Sequence, residues 1–142
     1  MKLVVKSKKL HINTVKNNDN VHLFNQFFIP KTQDRYNEIK FCLKKCVENT
    51  DIDFIHLLVE KIYTGEELGI WSDKIIQTNI NKRLTFQDVF VYIRKNEIKG
   101  YLILLNSDIY LFDDAIDNLK HSYFHTKQLF GAILRYDYNF KD

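Results

Sequence analysis

The amino-acid sequence predicts a three-layer α/β/α domain built on a mainly parallel sheet. Two largely apolar runs, Phe54–Val59 and Tyr101–Leu105, are typical of parallel strands that are buried on both faces. Amphipathic segments with helical spacing alternate with these and other strand-like stretches. Alternating strands and helices favour a parallel sheet covered by helices, and a length of 142 residues suits one such core.

The first half of the chain predicts an arm, two strands and a long helix. Residues 1–20 are polar and basic, and the pattern leaves open a flexible arm or an extra strand; the domain proper is predicted over 21–142. Val21–Ile29 is rich in β-branched and aromatic residues and stops at Pro30, which indicates the first strand. Helical spacing of apolar residues then predicts a helix over Thr32–Asn49, capped by Thr32 or Asp34, before the strand Phe54–Val59.

The second half continues the alternation. Lys74–Thr78 is a short strand candidate, and Thr85 with Asp88 matches a capping box that opens the next helix. The strand Tyr101–Leu105 follows, and Asp113 or Asp114 is expected to cap a further helix. The segment Leu129–Tyr136 predicts a last strand.

Composition excludes several classes of protein. A net charge of +3 with scattered lysines is too weak to predict a nucleic-acid partner. No apolar run approaches the roughly 18 residues that a membrane span requires. The N-terminus has too short an apolar core for a signal peptide. Cys42 and Cys46 are one helical turn apart and favour buried free thiols, so we expect a cytoplasmic protein.

Polar residues follow the best strand directly, as Asn106-Ser107-Asp108. In open parallel sheets, ligands bind at the carboxyl ends of the strands. Asp108 at that edge is suited to hold Mg²⁺ or Mn²⁺ together with substrate phosphates, and Asn106 to add a carbonyl ligand or a ribose hydrogen bond. The alternative is a strand-to-helix turn that uses these side chains only for local hydrogen bonds.

Two segments, Asn81–Phe90 and Tyr101–Tyr110, together resemble the GT-A-fold glycosyltransferases, the nucleotide-diphospho-sugar transferases. In that family an arginine and an aromatic-rich helix precede a strand that ends in an Asp-x-Asp-like motif. Here the motif is Asn106-Ser107-Asp108, with Asn in place of the first Asp. The stretch from Phe27 to Glu60 also fits, and the resemblance implies a Rossmann-like, GT-A-like fold over residues 21–136.

The resemblance assigns roles to individual residues. Asp108 would be the metal ligand, with Asn106 its weaker partner or a ribose contact. The ends of the first two strands, with Phe28, Pro30 and Glu60, would hold the base and ribose. Arg35 would line the site and Arg83 would approach the diphosphate, since a guanidinium donates bidentately to phosphate. Each charged residue also has a plain alternative: a helix-surface pair of Arg35 with Glu38, a strand-end carboxylate at Glu60 and a solvated loop arginine at Arg83.

The expected function is binding of a UDP- or GDP-sugar with Mn²⁺ or Mg²⁺ and transfer of the sugar to an unknown acceptor. The alternative is a non-catalytic nucleotide-binding or protein-interaction module that assembles with another chain. No catalytic residue is assigned, because in the family the acceptor region and the base follow the last predicted strand, close to Asp142, where this sequence ends. Three alternatives stay open: a fragment of a longer chain, a minimal domain, or a domain whose partner supplies the rest. A partial fold should expose apolar surface where the rest would pack, and Tyr136, Tyr138 and Phe140 near the C-terminus are candidates for that surface. We therefore expect a homo-oligomer, the alternative being a domain of a longer chain that stays monomeric because the surface is small.

Overall fold

A computed structural model describes residues 3–4, 20–122 and Gly131. The strands are β1 (Leu3–Val4), β2 (Val21–Asn25), β3 (Phe54–Val59), β4 (Ile75–Asn79) and β5 (Tyr101–Leu104). The helices are α1 (Gln33–Glu48), α2 (Gly65–Leu68), α3 (Phe86–Lys95) and α4 (Ala115–Lys120). Apart from Gly131, the predicted strand Leu129–Tyr136 lies outside the described residues, as do Tyr138 and Phe140.

One sheet holds all five strands in the order β1-β4-β3-β2-β5. The pairs β2–β3, β3–β4 and β2–β5 are parallel, and only β1 runs antiparallel, against β4. The register brings Leu23 opposite Ile55 on one side and Ile103 on the other. The prediction of a mainly parallel, Rossmann-like α/β sheet is therefore confirmed.

Both faces of the central strands are buried, which explains their apolar sequences. On one face, Phe24 and Leu58 form a core with Val89 and Tyr92 of α3. On the other face the alternate residues of β2 and β3 are equally buried, and α1 supplies buried side chains at every helical turn: Ile39, Cys42, Leu43 and Cys46. Both cysteines are free thiols, and burial raises the pKa of Cys42 to about 11 and that of Cys46 to about 12.

Several element ends differ from the sequence prediction. β2 stops at Asn25 instead of Ile29, because the side-chain oxygen of Asn25 accepts the backbone N–H of Gln26 at 2.7 Å, where a sheet neighbour would otherwise accept it. β4 is shifted by one residue, to Ile75–Asn79. The irregular stretch after β3 contains the short helix α2, which begins with a capping box between Thr64 and Glu67.

The predicted capping box of α3 is present, since Thr85 and Asp88 each bond the other's backbone N–H. A lysine side chain bonds the C-terminal end of α1: Nζ of Lys74 donates to the carbonyls of Val47 at 3.1 Å and Asn49 at 2.8 Å. These bonds satisfy carbonyl groups that a helix C-terminus leaves without an internal partner.

The chain divides into two compact units, Met1–Leu111 and Phe112–Asp142. The first contains the sheet with α1, α2 and α3. The second contains α4, which begins after Asp114, although the Asp114 side chain makes no capping hydrogen bond. Within the described ranges, no helix combines the length and the apolar character needed to cross a bilayer.

Candidate functional site

The order of the parallel strands reverses between β2 and β5. From β2 the chain moves one way along the sheet to β3 and β4, and it then crosses back to place β5 on the other side of β2. At such a reversal, the loops that follow the two neighbouring strands run in opposite directions, and a crevice that can bind a ligand forms at the carboxyl edge of the sheet. The candidate site is therefore the edge where Asn25 of β2 and the residues after β5 meet.

The segment after β5 is fastened to the end of β2 by three hydrogen bonds. The Leu105 N–H donates to the Phe24 carbonyl at 3.1 Å, which extends the ladder by one residue. Asn25 Nδ2 donates to the Asn106 carbonyl at 3.4 Å, and the Ser107 hydroxyl donates to the Gln26 carbonyl at 2.5 Å. The turn that carries Asp108 is thus held at the sheet's edge by groups other than its own carboxylate.

An ion-pair cluster connects this turn to the first turn of α1. Arg35 Nη2 lies 3.1 Å from Asp108 Oδ2, and Arg35 Nη1 lies 2.6 Å from Glu38 Oε2. The Arg35 side chain is 42% exposed and that of Asp108 only 19%. The two carboxylates raise the pKa of Arg35, Glu38 more than Asp108. We call Arg35, Glu38 and Asp108 the switch-point triad; one guanidinium serves two carboxylates there, so the triad carries a net charge of −1.

Aromatic residues hold the start of α1, the helix that carries Arg35 and Glu38. The buried Phe27 packs edge-on against Tyr63, with ring centroids 4.9 Å apart, and against Tyr36. The Tyr36 hydroxyl donates to the Glu67 carbonyl at 2.5 Å and so joins α1 to α2. The next residues along, Phe28 and Ile29, are 37% and 43% exposed. The residues that follow β2 directly therefore expose apolar surface.

The structure brings together only part of the site predicted from sequence. Arg35, Asn106 and Asp108 meet at the β2–β5 edge. Glu60 follows β3 and Arg83 lies between β4 and α3, so both are at carboxyl ends of strands, and both are exposed. Within residues 20–122, neither makes a hydrogen bond or ion pair with the switch-point triad. Phe28 and Pro30 lie in the loop between β2 and α1.

Three contributing residues were not predicted as site residues. The sequence predicts Glu38 only as a surface partner of Arg35, whereas in the structure Glu38 shares the Arg35 guanidinium with Asp108. Asn25 was assigned to the middle of a longer strand, whereas it ends β2 and bonds the Asn106 backbone. The sequence predicts Ser107 only as the middle residue of the motif, whereas in the structure its hydroxyl donates to the Gln26 carbonyl and holds the turn beside β2. For Asn25, the sequence offered one signal: a polar residue within a largely apolar stretch, which can mark the end of a strand.

The residues that could hold a divalent cation lie in and beside the switch-point triad. The described residues contain no group of three His, Cys, Asp or Glu side chains that would form a complete protein site. Mg²⁺, however, is usually held by only one or two carboxylates, with substrate phosphates and water completing its shell. Asp108 and Glu38 supply two carboxylates, and the exposed Asn106 adds an amide oxygen. These oxygen atoms are therefore the candidates for holding a divalent cation, although Arg35 is paired with both carboxylates in the structure.

A second polar group lies inside the protein, under α3. His22 Nδ1 is 3.0 Å from His56 Nε2, and His56 Nδ1 is 3.1 Å from the Tyr92 hydroxyl. Both imidazoles are fully buried. Burial lowers the pKa of His22 from 6.5 to about 4, although Asp53 opposes the shift, and burial also lowers the pKa of His56. These histidines are neutral members of the core, so they are not candidates for a solvent-facing site.

In comparisons with known proteins, no family model, no curated protein and no solved structure matches this chain.

Proposed function

We propose that the domain binds a nucleoside-diphosphate sugar at the β2–β5 edge, together with Mn²⁺ or Mg²⁺. The observation that carries this proposal is the ion pair between Arg35 and Asp108. These residues are 73 positions apart in the chain and meet only where the strand order reverses. Partly exposed charged residues gathered at that edge favour a charged ligand over a purely structural role.

Each part of the edge suits one part of such a ligand. Phe28 and Ile29 offer exposed apolar surface for a base, and the amide of Asn106 offers hydrogen bonds to a ribose. Asp108 and Glu38 would hold the cation, which would neutralise the diphosphate. Arg83, on the same edge of the sheet, would add a charge-assisted contact to phosphate. A cytoplasmic location, which would keep Cys42 and Cys46 reduced, belongs to this proposal.

The activity proposed is that of a glycosyltransferase: displacement of the nucleoside diphosphate at the anomeric carbon of the sugar by an acceptor. The resemblance of Asn106-Ser107-Asp108 to the Asp-x-Asp motif supports this activity. No described residue is assigned as the catalytic base.

The test is isothermal titration of UDP and GDP, each with and without Mn²⁺. The proposal expects Mn²⁺-dependent binding of at least one nucleotide by the wild type. Asp108→Asn should weaken it by at least tenfold, and Arg83→Ala by about 1.5–3 kcal/mol, the worth of a hydrogen bond to a charged group. The matched control is Asp34→Asn, which removes a negative charge from an exposed residue of the same helix turn as Arg35. Equal affinities in all four proteins, or no binding by the wild type, would contradict the proposal.

A second candidate function is a module that assembles with another chain and performs no chemistry. The outward face of α3 favours it, because Phe86 is 74% exposed, Phe90 42% and Val91 55%. Exposed apolar surface of this kind often marks a protein contact. Light scattering of the wild type and of Phe86→Ser at tens of micromolar tests this candidate. A wild-type dimer that the substitution dissociates would support it, and a monomer in both cases would contradict self-association through this face of α3.

A further inference from the structure

The outward face of α3 consists of two neighbouring rows of side chains. Residues four apart lie one above the other on a helix. The rows are therefore Phe86-Phe90-Arg94 and Gln87-Val91-Lys95. All six residues are exposed, and we call them the α3 face. Each row ends in a cation, and apolar side chains occupy most of the first half of the face.

We propose that the α3 face binds an acidic protein surface, with carboxylates opposite Arg94 and Lys95 and an apolar recess that receives Phe86 and Phe90. The inference rests on the second candidate function, a module that assembles with another chain, and it names the chemistry of the partner. It does not depend on the nucleotide site.

The first support is the distribution of charge along the chain. Residues 82–99 contain five cations and two anions, and the rest of the chain contains 16 of each, since the totals are 21 and 18. Asp88, one of the two anions, is paired with Lys82, whose Nζ lies 2.6 Å from Oδ1. Within residues 20–122, Arg94 and Lys95 make no ion pair. The excess of positive charge is thus concentrated around α3, and a carboxylate-bearing surface complements it.

The second support is the combination of phenyl rings and a guanidinium in one row. Phenylalanine and arginine are enriched in protein interfaces, where a few anchoring side chains supply most of the binding energy. At about 1.5 Å per residue, Phe86 and Arg94 are about 12 Å apart along the helix axis, which a partner helix of similar length can span. The helix dipole explains cations in the last turn of α3, but it does not explain exposed rings beside them.

Two other occupants fit the α3 face less well. A second copy of this chain would bring the same excess of positive charge against it, and like charges across an interface are unfavourable. A bilayer would gain little apolar contact, because α3 has only 10 residues and its other side, with Val89 and Tyr92, is already buried in the core.

The experiment measures binding of the full chain to labelled model peptides by fluorescence anisotropy. The probe is an amphipathic helical peptide of leucine and glutamate. One reference peptide has lysine in place of glutamate, and the other has glutamine in place of leucine. The wild type should bind the probe roughly tenfold more tightly than either reference, because the first is repelled and the second leaves the rings in water. About 1 M NaCl, where the Debye length is about 3 Å, should weaken binding of the probe.

Four variants with exposed substitutions locate the binding surface. Phe86→Ser and Arg94→Gln should each weaken probe binding about fivefold or more, the effect of losing an interface anchor. Trp71→Ser is the control for an exposed ring, since Trp71 is 83% exposed and lies outside α3. Lys44→Gln is the control for charge, since Lys44 lies on α1 and pairs with Glu48. Both controls should match the wild type, and melting temperatures should show that all four variants are folded.

Absence of probe binding by the wild type would overturn the proposal, and so would equal losses in the two control variants. Tighter binding to vesicles of phosphatidylserine and phosphatidylcholine than to the probe, lost in Phe86→Ser, would also overturn it by assigning the face to a membrane. A wild-type dimer that Phe86→Ser dissociates would support the second candidate function and overturn the acidic partner, so the two ideas fail separately.

Discussion

Mild acid should destabilise this protein through the buried histidines of β2 and β3. The pKa of His22 is about 4 in the folded state, against an ordinary value of 6.5. Between these values the unfolded chain binds a proton that the folded protein excludes, so the free energy of unfolding decreases as the pH falls. The decrease begins near pH 6.5 and is complete below pH 4. His56, whose pKa is also lowered, acts in the same direction.

The size of the effect follows from the shift. At pH 5 an unfolded imidazole with a pKa of 6.5 is almost fully charged, and a folded one with a pKa near 4 is almost fully neutral. The linkage relation then gives a loss of about 2 kcal/mol for His22 between pH 7.5 and pH 5. Total stabilities are about 5–15 kcal/mol, so a loss of this size is readily measured.

The variant that isolates this contribution is His22→Phe. A phenyl ring retains stacking on Phe54, whose ring centroid is 4.9 Å from that of His22. The variant should lose about 1–3 kcal/mol at pH 7.5, because His56 Nε2 loses its hydrogen-bonding partner. Its further loss on going to pH 5, however, should be smaller than that of the wild type by about 2 kcal/mol. The charge of His22 is the second cause, after burial, that lowers the pKa of His56. Without His22 that lowering is smaller, so the variant's loss of stability between pH 7.5 and pH 5 decreases further.

Urea denaturation at pH 7.5, 6 and 5 measures these free energies. The control is His121→Gln, since His121 is a histidine with a 78% exposed side chain. It should preserve the pH dependence of the wild type. The reasoning is refuted if the wild type has the same stability at pH 7.5 and pH 5, or if His22→Phe loses as much stability in acid as the wild type does.

Two further substitutions test contacts at helix ends. Lys74→Met keeps the apolar stem but removes the charged donor that bonds two carbonyls at the end of α1, so urea denaturation should report a loss of about 1.5–3 kcal/mol. Lys44→Met, an exposed change on α1 itself, should alter stability by less than about 0.5 kcal/mol, and a similar loss in both variants would contradict this role of Lys74. Thr85→Ala breaks the capping box of α3 with Asp88 and should cost about 1 kcal/mol by the same measurement. An unchanged midpoint for Thr85→Ala would show that tertiary packing alone holds the first turn of α3.

The elements of the fold were predictable where a local pattern dictates them. Phe54–Val59 was predicted to the residue, because a run with His56 as its one polar residue, bounded by Asp53 and Glu60, has few alternatives. The capping box of α3 was predictable for a similar reason, since both partners lie within four residues. The end of β2 was not predictable in this way. The polar pair Asn25-Gln26 is followed by the apolar Phe27, Phe28 and Ile29, so the sequence alone favours a longer strand, and the side-chain bond of Asn25 to the next backbone N–H shows where the strand stops.

The candidate site was less predictable, because its neighbours are determined by strand order. If the parallel strands followed one another across the sheet in chain order, β5 would lie beside β4 and three strands away from β2. Neighbouring strands are about 4.8 Å apart, so that arrangement would separate the ends of β2 and β5 by about 14 Å. Arg35 and Asp108 are instead 3.1 Å apart because β5 pairs with β2. Arg35 and Asp108 were recognisable in the sequence as candidate site residues, but only the reversal of strand order brings them together. Glu60 and Arg83 follow β3 and β4 and therefore lie farther along the same edge of the sheet. A ligand that contacts both groups must therefore extend along the sheet from β5 toward β4, as an elongated molecule with a base, a sugar and a diphosphate could.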